Sequence, residues 1–149
     1  MNMAEIKEVE ILLVEDNLED QELTLRALKK RNLSNRIHSV ADGAEALDFL
    51  FGQGAYAGRT RADAPKLVLL DIKLPRVNGI EVLRKVKADP DLRMVPIVML
   101  TSSKEGPDIQ ECYRLGANSY IVKPVDFDKF TEAVVQLGFY WLLTNQPAR

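Results

Sequence analysis

Four short apolar runs constrain this chain more than any other feature. They are Ile11-Leu12-Leu13-Val14, Leu67-Val68-Leu69-Leu70, Val98-Met99-Leu100 and Tyr120-Ile121-Val122. None shows the apolar-polar alternation of a strand with one wet face, so each reads as a strand buried on both sides. Such a sheet needs a cover on each face, and the segments between the runs have helical spacing. Strands are predicted over Glu10–Val14, Ile37–Val40 (the weakest pattern), Lys66–Leu70, Val95–Leu100 and Ser119–Val122. The first helix, Leu18–Lys30, presents Leu23, Ala27 and Leu28. The second opens on the capping box Asp42-Gly43-Ala44-Glu45 and carries Ala46, Leu47, Phe49 and Leu50. The third starts at Asn78-Gly79, carries Val82, Leu83 and Val86, and stops at Asp89-Pro90. A short fourth, Asp108–Leu115, is stopped by Gly116. Asp126 caps the fifth, with a stripe of Phe127, Phe130, Val134, Leu137 and Trp141. Strict alternation with crossover-length connections predicts an α/β fold: a doubly wound, five-stranded parallel sheet with five helices.

The runs end on a chosen set of polar residues. Glu15-Asp16 follows the first, Asp71 the central one, Thr101 the fourth strand and Lys123 the fifth. Ligands in this architecture bind outside the carboxyl ends of the strands. Each residue alone has an ordinary explanation as a cap or turn residue, but together they point to one site. Two carboxylates ~4 Å apart at an effective dielectric of ~20 repel by about 4 kcal/mol. A divalent cation relieves that repulsion, and carboxylates plus a phosphate are the usual setting for Mg²⁺. Asp71 is then placed to act as a nucleophile on an activated phosphoryl group. The cation and Lys123 would offset charge on the phosphoryl oxygens, and the Thr101 hydroxyl would donate to one of them.

Size and composition narrow the alternatives. A chain of 149 residues suits one domain. A net charge of −2 gives no electrostatic reason to expect nucleic acid or a membrane surface as partner. No apolar run nears the ~20 residues of a transmembrane helix, and the polar start is not a signal peptide. Cys112 is the single cysteine, which fits a reducing, cytoplasmic setting and a packed residue.

The constellation resembles the receiver domain of two-component response regulators. The resemblance runs from Glu8 to Leu143, leaving short tails at 1–7 and 144–149 and no room for an output domain. Thr101 follows Asp71 by 30 residues and Lys123 follows it by 52, the family's spacings. The resemblance implies a flavodoxin-like sheet of order 2-1-3-4-5. It implies Asp71 as phosphoacceptor, with Thr101, Lys123 and the aromatic Tyr120 as switch and phosphoryl-binding residues. It implies Mg²⁺ held by Asp16, Asp71, the backbone carbonyl of Lys73 and, through water, Glu15. The Lys123–Pro124 bond would be cis. The donor would be the phosphohistidine of a sensor histidine kinase. The run Leu115 to Phe127, the ending Phe139-Tyr140-Trp141-Leu142-Leu143 and the enlarged loop before the central strand resemble small regulators that partner bacterial phytochromes. A histidine phosphotransfer protein downstream and a homodimer through the fourth helix, fifth strand and fifth helix are further implications. Such a protein is a switch and not an enzyme.

Competing readings are weaker. A Mg²⁺-dependent aspartyl phosphohydrolase needs a second acid two residues after its nucleophile, where this chain has Lys73. A non-phosphorylated scaffold of the same fold would lack site residues that are all present here. Flavin binding is disfavoured by the acidic loop after the first strand. Gly52-Gln53-Gly54-Ala55-Tyr56-Ala57 precedes a strand, the wrong order for a dinucleotide fingerprint, and reads as a flexible loop. His38 has no second histidine beside it and reads as a surface or partly packed residue. Lys73 either pairs with an acid of the site or points to solvent.

Overall fold

A computed structural model describes residues 9–30, 36–126, 128–130 and 132. Five strands, β1 (Ile11–Val14), β2 (Ile37–Val40), β3 (Leu67–Leu70), β4 (Ile97–Thr101) and β5 (Ser119–Val122), form one parallel sheet of order β2-β1-β3-β4-β5. Between them lie α1 (Leu18–Lys30), α2 (Gly43–Phe51), α3 (Gly79–Ala88) and α4 (Gly106–Leu115). A fifth helix opens at 128–130, where Asp126 Oδ1 accepts the N–H groups of Asp128 and Lys129 at 2.9 and 3.3 Å. The predicted remainder of that helix, with Val134, Leu137, Trp141 and the aromatic ending, lies outside the described residues.

The absence of alternation has a direct physical cause. Successive side chains of a strand point to opposite faces. Leu12, Val14, Val68, Leu70, Ile97 and Met99 enter a core shared with Ala46, Phe49, Leu50, Val82, Leu83, Val86 and Cys112. Ile11, Leu13, Leu67, Leu69, Val98 and Leu100 enter a second core with Leu28 and Phe130. Both faces are dry along β1, β3 and β4, whereas β5 at the sheet edge is only half-buried.

Besides the burial expected of β5, three expectations change. Leu23 is 59% exposed and does not share the inner face of α1 with Leu28. Five residues separate them, about 140° of helical rotation. Thr24, four residues before Leu28, is buried in its place. The loop read as flexible over residues 52–57 belongs to a packed connection from α2 to β3. That connection holds two 3₁₀ turns, Gly54–Tyr56 and Arg61–Asp63, and buries both Tyr56 and Arg59. The Arg59 guanidinium lies 3.7 Å above the Phe49 ring and donates to the carbonyls of Phe49 and Asp63 at 3.0 and 2.6 Å. Arg61 forks onto the Asp89 carboxylate at 2.9 to 3.3 Å, tying the stretch to the end of α3. The capping box at Asp42 is made on one side only. Asp42 Oδ1 accepts Glu45 N–H at 2.7 Å, but Glu45 reaches back to Ala41 N–H and takes the Tyr56 hydroxyl at 2.8 Å. His38 is partly packed, as predicted, stacked on Phe49 and 2.8 Å from the Tyr56 hydroxyl.

Candidate functional site

The carboxyl ends of β1, β3, β4 and β5 converge because the ladder continues one residue past the strands. Asp71 N–H donates to Val14 C=O at 3.2 Å, and Lys123 N–H donates to Thr101 C=O at 2.8 Å. Asp71 is thereby pinned beside β1, and Lys123 beside β4. The turn after Asp71 is held by the buried side chains of Ile72 and Leu74 and by Gly79, whose N–H donates to Ile72 C=O at 2.7 Å. Gly79 has no tolerable replacement at this approach, since a Cβ there would stand 1.9 Å from the Asp71 carbonyl oxygen.

Glu15, Asp71 and Thr101 are buried at 3%, 6% and 0% exposure, so their interactions act in a poorly solvated environment. Asp71 uses both carboxylate oxygens. Oδ1 accepts Ile72 N–H at 2.7 Å and Oδ2 accepts Lys123 Nζ at 3.0 Å. Lys123 also donates to Glu15 and, at 3.1 Å, to Asp20. Burial pushes the Glu15 carboxyl above its usual range, against the hydrogen bonds from Lys123 and Asn17. Burial alone would lower the Lys123 ammonium; the bonds to Glu15, Asp71 and Asp20 overcome it and hold the group charged.

Oxygens of Glu15, Asp16 and Asp71 all lie within 4.8 Å of one another. Asp16 is exposed and its carboxylate accepts no hydrogen bond among the described residues, which leaves its lone pairs open. An all-oxygen anionic set of this kind fits a hard divalent cation. Lys73 is exposed and forms no ion pair among the described residues, so its side chain points to solvent.

The remaining predicted residues gather at Ser103. Thr101 does not reach Asp71 in this structure; its Oγ1 accepts Ser103 N–H at 3.3 Å. Ser103 Oγ donates to Asp108 of α4 at 2.6 Å, and Ser103 C=O accepts the Tyr120 hydroxyl at 3.0 Å. The Tyr120 ring also lies against Tyr113 of α4, with centroids 6.5 Å apart. The Lys123–Pro124 bond is cis. Asp20, Gly79 and the Ser103–Asp108 bond belong to the site without having been expected there. The first had a readable signal, an acid three residues after the capping residue Asn17.

The chain matches the response regulator receiver domain family over residues 11–135. It is 39% identical over 136 residues to the Probable methanogenesis regulatory protein FilR2 of Methanothrix harundinacea, covering 91% of this chain and 85% of that one. It is 37% identical over 134 residues to response regulator Rcp1 of Synechocystis, covering 90% and 89%. The Mn²⁺-bound structure of Rcp1 superposes with a TM-score of 0.75, covering 94% of this chain and 99% of that one at 35% identity. The bacteriophytochrome response regulator AtBRR superposes with a TM-score of 0.81, at 50% identity, over 93% of this chain and 98% of its own.

Proposed function

Because the chain belongs to the response regulator receiver domain family, we propose that it is a stand-alone phosphorylation switch with Asp71 as its acceptor. The observation that carries this reading is the Lys123 ammonium bonded to a buried Asp71 beside the Glu15-Asp16 pair. Similarity to Rcp1 and AtBRR over most of their lengths supports the single-domain form and a phytochrome-type sensor histidine kinase as donor.

An Asp71 oxygen forms the new bond to phosphorus while the bond from phosphorus to the donor nitrogen breaks, and the donor imidazole leaves with that electron pair. Lys123 gives up its contact with Asp71 Oδ2 and donates to a phosphoryl oxygen. Asp16 and Asp71 would hold the divalent cation, with the Lys73 carbonyl and, through water, Glu15. When bound, Mg²⁺ supplies positive charge against the phosphoryl oxygens.

Phosphorylation adds charge and strong acceptors. Thr101 turns its hydroxyl to the phosphoryl group and abandons Ser103 N–H, which frees the loop that Tyr120 is bonded to. The altered face of α4 and β5 is what a partner reads: a second copy of this chain, through α4, β5 and the fifth helix, or a histidine phosphotransfer protein. The protein turns over no separate substrate and works in the cytoplasm. No helix among the described residues is long and apolar enough to cross a membrane.

Acetyl phosphate with Mg²⁺ is expected to add one phosphoryl group to the wild type and none to Asp71→Asn, read by intact mass. Light scattering on the same samples reads dimerisation. An unmodified wild type, or equal modification of Asp71→Asn, sinks the reading. Phosphotransfer from a purified phytochrome kinase tests the donor.

A further inference from the structure

Asp20 stands outside the acceptor and the acid pair, yet it holds the same ammonium. A lysine ammonium has three N–H donors. Here three carboxylates take them: Glu15, Asp71 at 3.0 Å and Asp20 at 3.1 Å. Lys123 is only 14% exposed and its hydrogen-bonding capacity is filled.

The local sequence explains why Asp20 is available. Asn17 caps α1, and its Oδ1 accepts the N–H of Asp20 at 3.0 Å. An acid at that third helical position ordinarily turns back to the capping residue's own N–H. That N–H is already taken by Glu15 Oε2 at 3.1 Å. Gln21 Nε2 fastens the same turn to Glu15 C=O at 3.1 Å. Glu15 thus displaces Asp20 from the capping box, and the released carboxylate meets Lys123.

Resting on the reading of Asp71 as phosphoacceptor, we infer that Asp20 is a positioning residue for phosphoryl transfer. With Glu15 and Asp20 holding two N–H bonds, the third stays aimed at Asp71 and at the phosphoryl oxygen that arrives there. Only that third bond changes partner during transfer. Charge acts in the opposite direction, because a further carboxylate beside Asp71 repels an anionic donor. Asp20→Ala and Asp20→Asn remove the same charge, but only the second keeps an oxygen that can accept from Lys123.

The two variants and the wild type, as full chains, are compared with acetyl phosphate and Mg²⁺ by intact mass over time. Asp20→Asn is expected to be phosphorylated about tenfold faster than Asp20→Ala, because an ammonium held off its aim costs rate. A second arm omits the metal. Acylation of Lys123 by a hydroxysuccinimide ester, followed by peptide mass spectrometry, is expected to be fastest in Asp20→Ala. Equal phosphorylation rates for the two variants, with an active wild type, overturn this inference alone and leave charge as the whole effect. Equal Lys123 acylation in all three proteins overturns it as well. A wild type that takes no phosphoryl group overturns the reading of Asp71, and this inference falls with it.

Discussion

At the scale of single residues, burial changes the chemistry of Cys112 and His38. The Cys112 thiol is pushed up to about 11 by burial and by Asp108 and Glu111 nearby, so it stays protonated and acts as packing. His38 is the more informative case. The Tyr56 hydroxyl spends its proton on Glu45, so His38 Nε2 must donate to Tyr56. Burial, with Arg59 adding to it, lowers the imidazole below its usual range, against the pull of Glu45. A folded-state value below the unfolded one means that the unfolded chain binds the extra proton first. His38 therefore contributes stability above pH ~6.5 that is lost as pH falls through the folded-state value. Urea titrations at steps between pH 7 and 5 should show the wild type losing stability. The His38→Gln variant should show a shallower loss over the same window. Parallel pH profiles for the two would remove His38 as the cause.

At the scale of elements, the helix starts and strand ends were readable because each has a local cause. Asn78 caps α3 through Glu81 N–H at 3.0 Å, as its place in the sequence predicts. Asp71, Lys123 and the acid pair were legible as a set: each alone reads as a cap or turn residue, but all follow the carboxyl ends of strands in one parallel sheet. What was not legible depends on residues far apart in sequence. Arg59 sits in a stretch with loop composition, and only the Phe49 ring of α2 makes it a buried cation. Ser103 looks like any loop serine until Asp108 and Tyr120 reach it. Gly79 reads as a helix-start glycine, but its need is set by the Asp71 carbonyl. Gly79→Ala is therefore expected to destabilise the fold by at least about 3 kcal/mol, through backbone displacement at the site. Gly106, also at a helix start, has nothing within 4 Å of a built Cβ. Gly106→Ala is expected to stabilise by up to about 1 kcal/mol. Chemical denaturation of the pair measures both, and similar effects from the two would refute the close-approach argument.

At the scale of the whole molecule, the acidic edge and the fold are linked through whatever binds there. Glu15, Asp16 and Asp71 are crowded in the folded chain and dispersed in the unfolded one. A cation that binds only the folded state adds stability by mass action, about 2.7 kcal/mol at 100 times its dissociation constant. Mg²⁺ should raise the melting temperature of the wild type and leave Asp16→Asn nearly unmoved. An equal rise in both would place the cation elsewhere. The tethers at Ser103 set a different kind of limit. Its N–H, side chain and carbonyl are committed to Thr101, Asp108 and Tyr120 respectively. On the proposed function, release of one tether would loosen the other two, since all three meet at one residue. A partner would then count how many copies have flipped, and the strength of the message would be a headcount.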